Sequence, residues 1–360
     1  MEKLCVDLAE NSYDILFSDS FSALPQALGN VTKSKKGLIV TDSNVDKLYA
    51  GAVEKLLSEN GFSVGRFVFP AGEENKNMKT ILDICKTCLE QGLDRGSFVA
   101  ALGGGVAGDM AGFAAAIYMR GIDFVQIPTT LLSQSDSSVG GKTGVDFMDG
   151  KNILGAFHQP KLVYINVDVL KTLPEREFVS GMGEVIKHGI IADKAFLDYI
   201  AENSDSVKKL DTKTLLKMCK KNCAIKAAVV SRDEKEQGLR AILNFGHTVG
   251  HAVETYYKFK LSHGECVGIG MYAAAVIAKN RMMISETDLH MLTDVLEKYG
   301  FELHVKLENP KKIIEIMHMD KKAHDGILKF ILPCGLGEVT AAENVTEGEI
   351  LTALKAIDKG

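Results

Sequence analysis

Three short apolar runs constrain this chain more than any other feature. Gly37-Leu38-Ile39-Val40-Thr41 ends in polar Asp42 and is followed by a helical pattern over about 45–59 that stops at Asn60-Gly61. A second run, 64–70, leads through the polar turn Pro70-Ala71-Gly72-Glu73-Glu74-Asn75-Lys76 into a helix over about 78–90. Phe98-Val99-Ala100-Ala101-Leu102 is the third. Runs of this length read as strands, the first of them buried, and their alternation with helices indicates a parallel sheet covered by helices. The C-terminal ends of such strands are where a ligand is met.

The third strand runs into Gly103-Gly104-Gly105-Val106-Ala107-Gly108-Asp109 and then a small-residue helix to about Tyr118. Glycines at a strand-to-helix turn let the backbone approach a phosphate, and the helix N-terminus offers free N–H groups. The spacing is not the G-x-G-x-x-G fingerprint, so a tight turn with close helix packing is the competing explanation. Phe124-Val125-Gln126-Ile127-Pro128 is another strand, with Thr129-Thr130 at its end. Residues 134–146 read as a glycine-rich polar loop carrying Gly140-Gly141-Lys142, and Lys151-Asn152 follows. Glycine backbone and an ammonium together suit an anion. Leu162-Val163-Tyr164-Ile165-Asn166 reads as the last strand of this half.

From about Pro174 the texture changes to long helices. Glu184, Lys187 and His188 share a face in the first of them by i, i+3, i+4 spacing. A helix over 215–230 carries Lys226 among apolar residues. The segment 239–254 reads as a buried helix with a polar stripe of Asn244, His247, His251 and Glu254. Such a stripe is either a satisfied hydrogen-bond network or the wall of a site. His263 opens another small-residue helix, whose dipole is expected to keep the imidazole neutral, as a metal ligand must be. Helices over about 286–299 and 310–318, a hairpin of 328–332 with 338–340, and a helix over about 347–357 complete the pattern. One carboxylate, Glu184, and two histidines, His247 and His263, on separate segments would leave positions open on a divalent metal.

The whole chain narrows the class. A net charge of −5 gives no basic footprint for nucleic acid. No apolar run has the length of a bilayer span, and the N-terminus lacks the apolar core of a signal peptide. The 7 scattered cysteines suit reduced thiols in a cytoplasm, and Cys85-x-x-Cys88 and Cys219-x3-Cys223 have no second pair at zinc-site spacing. With 360 residues, two domains are expected: an α/β domain over 1–173 and a mostly α-helical one over 174–360.

Taken together and in order, 103–109, Ser137-Ser138-Val139-Gly140-Gly141-Lys142-Thr143, Lys151-Asn152, 183–189, 244–254 and 263–271 resemble the motif set of the dehydroquinate synthase family of sugar-phosphate cyclases. The resemblance covers nearly the whole chain. It implies a fold shared with iron-dependent alcohol dehydrogenases: a Rossmann-like NAD-binding α/β domain, a helical metal-binding domain, and an active site in the cleft between them. The implied reaction is a carbon–oxygen lyase step of the shikimate pathway, converting 3-deoxy-D-arabino-heptulosonate 7-phosphate to 3-dehydroquinate and phosphate. Implied metal ligands, for zinc or cobalt, are Glu184, His247 and His263. NAD contacts match Asp42, Asn44, Glu73, Lys76, Gly105, Val106, Ala107, Gly108, Asp109, Thr129, Thr130, Lys142, Lys151, Val169, Leu170, Lys171 and Thr172. Substrate contacts match Asp136, Lys142, Asn152, Lys187, Lys226, Arg240, Asn244, His251 and Lys322, with Lys321 as the competing choice at the last position. Arg120 resembles an arginine that reaches the phosphate bound by the neighbouring subunit, which implies a homodimer. By the same likeness His251 is a proton partner and not a ligand. The rival readings are a related cyclase making a different carbocycle, a metal-dependent polyol dehydrogenase that releases NADH, and a non-catalytic regulator.

Overall fold

The computed structural model describes residues 1–148, 150–321 and 328–360. The chain packs as two compact units, Met1–Leu173 with Leu215–Ser231, and Pro174–Thr214 with Arg232–Gly360. Residues 215–231 therefore pack with the N-terminal unit, whereas the sequence pattern grouped them with 174–360.

In the first unit the elements run β1 (Glu2–Val6), β2 (Tyr13–Ser18), α1 (Leu24–Val31), β3 (Lys36–Asp42), α2 (Ser43–Val45), α3 (Gly51–Glu59) and β4 (Ser63–Phe69). They continue with α4 (Met78–Glu90), β5 (Phe98–Gly103), α5 (Gly105–Ile117), β6 (Asp123–Pro128), β7 (Lys142–Phe147), β8 (Gly150–Phe157) and β9 (Leu162–Asn166). Seven strands form one sheet in the order β1-β2-β9-β6-β5-β3-β4. All neighbours are parallel except β1 and β2. Central β5 is buried along its whole length. Its side chains alternate between two cores, as the pleat requires. Val99 and Ala101 pack with Ile81, Ile84 and Met110 on one face, while Ala100 and Leu102 pack with Leu28, Val53 and Leu57 on the other. Sequence order reverses between β3 and β5, so the ends of these two strands flank a crevice of the kind that takes ligands in open α/β sheets.

Two features depart from the sequence pattern. The antiparallel β1–β2 edge is not among the runs identified there, because β1 is mostly exposed and carries no continuous apolar signal. Part of the expected loop 134–146 is strand: β7 pairs with β8 as an antiparallel hairpin that carries Lys142 at one end and Lys151-Asn152 near the other.

The second unit is built from α6 (Glu175–Ala192), α7 (Lys194–Glu202), α8 (Ser204–Lys208), the start of α9 (Thr212–Arg232), α10 (His247–Tyr256), α11 (His263–Asn280), α12 (Glu286–Lys298), α13 (Pro310–Lys321), the hairpin β10 (Phe330–Gly335) and β11 (Glu338–Ala342), and α14 (Glu347–Ala356). No described helix is long and apolar enough to cross a membrane. All seven cysteines are free.

Candidate active site

The segment 239–254 is not one helix. A 3-10 turn, Leu239–Asn244, ends at extended Phe245, and α10 starts afresh at His247 behind Gly246 in the left-handed conformation, φ +79°. A side chain is disfavoured there twice over. The backbone angle suits glycine, and an added Cβ would lie 2.8 Å from the Val267 carbonyl oxygen of α11. The break separates Asn244 from the histidine stripe. Asn244 is exposed, and its amide donates a long bond to Glu236 at 3.5 Å.

The helices of this unit approach at backbone distance. An added Cβ on Gly264 would sit 2.0 Å from the Ser180 carbonyl oxygen, so α6 and α11 touch at a point where only glycine fits. A capping box closes the start of α11. Ser262 Oγ accepts from the Glu265 N–H, and the Glu265 carboxylate accepts from the Ser262 N–H at 2.6 Å. Arg176 on α6 donates to the same carboxylate at 2.9 Å. His263 is thereby fixed as the first residue of α11.

Three side chains from three helices meet as a result. Glu184 is buried, and its Oε1 lies 3.7 Å from His247 Nε2 and 3.7 Å from His263 Nε2. That oxygen has no hydrogen-bond partner among the described residues. The other oxygen, Oε2, accepts from the ammonium of Lys187, which is equally buried. Both imidazoles turn Nε2 toward Glu184 because Nδ1 is engaged elsewhere: His247 Nδ1 lies 3.0 Å from the Phe245 carbonyl oxygen, and His263 Nδ1 lies 3.4 Å from Glu254 Oε2. Ligand atoms around a tetrahedral zinc stand about 3.4 Å apart. An orphaned buried carboxylate oxygen with two nitrogens at nearly that spacing fits a divalent metal.

The charges of these groups follow from burial and from one another, and one of them departs from expectation. Burial pushes the Glu184 carboxyl up, but Lys187 and the two imidazoles outweigh it and hold it well below the usual range, so it is ionised. Burial and then the Lys187 charge hold His247 well below its ordinary value, so it is neutral. His263 differs from expectation. Burial lowers it, but Glu184 and Glu254 raise it to about 9, more than the helix dipole offsets. Without a cation in place, this ring carries the proton.

His251, one turn past His247, is exposed, with its ring 5.1 Å from that of His247 and 5.7 Å from that of His263. One ring nitrogen from each of His247, His251 and His263 lies within 4.8 Å of the other two, so a three-histidine set competes geometrically with the Glu184 set. Arg240 is buried, its guanidinium donating to the Glu234 carbonyl at 2.6 Å. Lys322 lies outside the described residues. Sequence reasoning assigned Glu254 no role; the signal was its place seven residues after His247 on one helical face.

In the first unit several of the expected cofactor residues lie at or just beyond the C-terminal ends of β3, β5 and β6. Asp42 caps α2, its carboxylate accepting from the N–H groups of Asn44 at 2.8 Å and Val45 at 3.2 Å. An added Cβ on Gly103 would meet Ala107 at 2.6 Å and lie 3.5 Å from Asp42, which measures how close the two strand ends come. Gly104 opens α5 without a side-chain cap, and the Gly108 N–H makes the first helical bond to the Gly104 carbonyl, so the N–H groups of 105–107 have no partner within the helix. Thr129 Oγ1 is buried with no partner among the described residues, and Thr130 Oγ1 pairs with Ser133. Lys76 is buried and donates to Asp109 at 2.7 Å and to Asn152 at 2.5 Å, with Glu73 3.8 Å away. Burial opposes the Lys76 charge, yet Asp109 and Glu73 raise its pKa. Burial pushes the Asp109 carboxyl up despite Lys76. Tyr49 donates to the Val169 carbonyl at 3.2 Å and pairs with Thr172, and Lys171 pairs with Asp168 at 2.8 Å. Buried Leu170 supports this turn, and Lys142 and Lys151 are exposed on the hairpin. Lys226, on the part of α9 that packs with this unit, donates to the Asp136 carboxylate at 2.7 Å. Arg120 is exposed on a turn after α5, at φ +67°.

Residues 66–180 match the family model for the 3-dehydroquinate synthase N-terminal domain, and residues 181–323 that for the C-terminal domain. The chain is 50% identical over 333 residues to a 3-dehydroquinate synthase of Acetivibrio thermocellus, covering 92% of each. Among solved structures, the 2-epi-5-epi-valiolone synthase of Streptomyces hygroscopicus, with NAD+ and Zn2+ bound, is 29% identical with a TM-score of 0.89 over 96% of each chain. A 2-deoxy-scyllo-inosose synthase complexed with carbaglucose-6-phosphate, NAD+ and Co2+ is 25% identical with a TM-score of 0.89 over 99% of each chain. On the family models and on half-identity across most of both chains, this chain belongs to the 3-dehydroquinate synthase family.

Proposed function

We propose that the chain converts 3-deoxy-D-arabino-heptulosonate 7-phosphate to 3-dehydroquinate and phosphate, with NAD and a divalent metal, zinc or cobalt, as cofactors. The observation that carries this is the buried, ionised Glu184 Oε1 facing two Nε2 atoms in a chain half identical to a named synthase. When bound, the metal supplies Lewis acidity toward a substrate oxygen, and NAD accepts a hydride and returns it. Glu184, His247 and His263 hold the metal. Asp42, Asn44, Glu73, Lys76, 105–109, Thr129, Thr130, Lys151 and 169–172 hold NAD at the end of the sheet.

The remaining polar groups handle an anionic substrate. Lys142, Asn152, Asn244, His251 and Lys322, with Arg120 from a second copy, orient the phosphate and neutralise its charge. Lys187, Arg240 and the Lys226–Asp136 pair hold the carboxylate and hydroxyl groups. The departing phosphate takes the proton next to the oxidised carbon, so no strong protein base is required there. His251 hydrogen-bonds the substrate and passes a proton. The enzyme works in this reading as a cytoplasmic homodimer.

Incubation with the heptulosonate phosphate, catalytic NAD and zinc or cobalt tests the proposal. Phosphate and dehydroquinate appear in equal amounts, without net NADH. Steady NADH from a simple polyol, with no turnover of the heptulosonate, would sink it. The neighbours that make other carbocycles keep a second cyclase reaction in view, but they are 25–29% identical against 50% for the named synthase. A panel of sugar phosphates in the same phosphate-release assay separates the two.

A further inference from the structure

The geometry points to Glu254 as the positioning residue that sets the tautomer and ring orientation of His263, an inference that rests on the metal site proposed above. Glu254 is on α10 and 6% exposed, an unusual place for a carboxylate without a task. It follows His247 by seven residues, two helical turns, and so lies on the same face of α10. Its Oε2 is 3.4 Å from His263 Nδ1.

An imidazole that ligates a cation through Nε2 must carry its proton on Nδ1, and an acceptor at Nδ1 selects that tautomer. His247 obtains such an acceptor from the backbone, at the Phe245 carbonyl oxygen. His263 is likewise the first residue of its helix, but the acceptor beside its Nδ1 is the Glu254 carboxylate. The acceptor comes instead from a side chain on a neighbouring helix. The stripe on α10 thus divides into a ligand at His247, a substrate partner at His251 and an orienting group at Glu254.

The test measures metal binding and needs no turnover. Zinc affinity is read by competition with a chromogenic chelator for wild type, Glu254→Gln and Glu254→Leu. The leucine variant is expected to bind zinc about 10–100-fold more weakly. The glutamine variant, whose amide oxygen still accepts from Nδ1–H, is expected to recover much of the loss. In 15N-histidine-labelled, zinc-loaded wild type, long-range 1H–15N spectra should show His263 protonated on Nδ1, with that signature lost or mixed in the leucine variant. Far-UV circular dichroism shows whether each variant is folded. If the leucine variant is not, the comparison of wild type with the glutamine variant and the wild-type tautomer decide the matter. Zinc binding by Glu254→Leu equal to wild type, or an Nε2-protonated His263 in the zinc-loaded wild type, overturns the role of Glu254. Failure of wild type to bind zinc overturns the metal reading and this inference with it.

Discussion

Lys187 and Glu184, one turn apart on α6, form a buried ion pair that occupies a single carboxylate oxygen. The second oxygen is left facing His247 and His263. In the proposed site Glu184 has two duties, countercharge for an ammonium and ligand for a cation. Replacing it by alanine removes both. Glu184→Ala is expected to lose bound metal and, because Lys187 is left buried without its carboxylate, to lose about 3–5 kcal/mol of stability. Metal content after gel filtration and urea unfolding of the metal-free protein check the two halves separately. A variant as stable as wild type would mean that Lys187 finds another partner.

His247 and His251 are separated by the same experiment. His247→Ala should lose the metal, because its Nε2 is one of the two facing Glu184 Oε1. His251→Ala should keep metal near the wild-type level and lose turnover by about 10²–10⁴-fold, the range for a proton-transfer group. Equal metal loss in both variants would favour the three-histidine set.

His263 carries a sign that can be worked out. Its pKa in the metal-free fold is raised to about 9, against an ordinary value of 6.5. The stabilisation from the Glu184 and Glu254 carboxylates is therefore complete below the unfolded value and declines as pH rises toward 9. The metal-free protein should lose stability over that window. Metal binding runs the opposite way, since a ligand nitrogen must shed its proton. Zinc binding at neutral pH is expected to release about one proton from this group, and affinity to rise with pH until about 9. Calorimetry in two buffers of different ionisation enthalpy counts that proton; a count of zero would place the site elsewhere.

The sequence was informative where a pattern is local. The β3, β4 and β5 runs, the turn from Gly103 into α5 and the face shared by Glu184 and Lys187 are all set by neighbours in the chain. What it hid depends on contacts far along the chain. The break at Phe245-Gly246 exists because α11 passes too close for a side chain, which no reading of 239–254 alone reveals. The charge of the metal-free His263 rests on the same kind of distant contact. The helix dipole is visible in sequence, but Glu184, on a different helix, is not. Asn152 looked like a loop residue next to a lysine. It is on β8, at φ +55°, accepting from Lys76 of the turn before α4.

The Lys76–Asp109 pair gives a test within the first unit. Lys76 is buried and its ammonium is 2.7 Å from Asp109. Lys76→Met strands a carboxylate that burial already pushes toward protonation. The expected cost is about 3–5 kcal/mol, with weaker NAD binding. Lys76→Met combined with Asp109→Leu should be more stable than Lys76→Met alone, because no charge is left unpaired. Urea midpoints compare the variants, and additive losses would contradict the pairing.

Arg120 permits a test of shared sites. It follows Met119, and both residues adopt positive φ, +50° and +67°, so the turn after α5 holds an exposed guanidinium in a conformation that side chains seldom adopt. In the proposed homodimer this arginine serves the neighbouring copy. Arg120→Ala and His247→Ala should each be nearly inactive alone. Mixed one to one and allowed to exchange subunits, half the dimers are hybrids. Each hybrid has one site with an intact His247 facing an intact Arg120, so about a quarter of all sites recover. Phosphate release from the mixture measures that fraction. An arginine acting within its own chain leaves every site defective, and no activity returns on mixing.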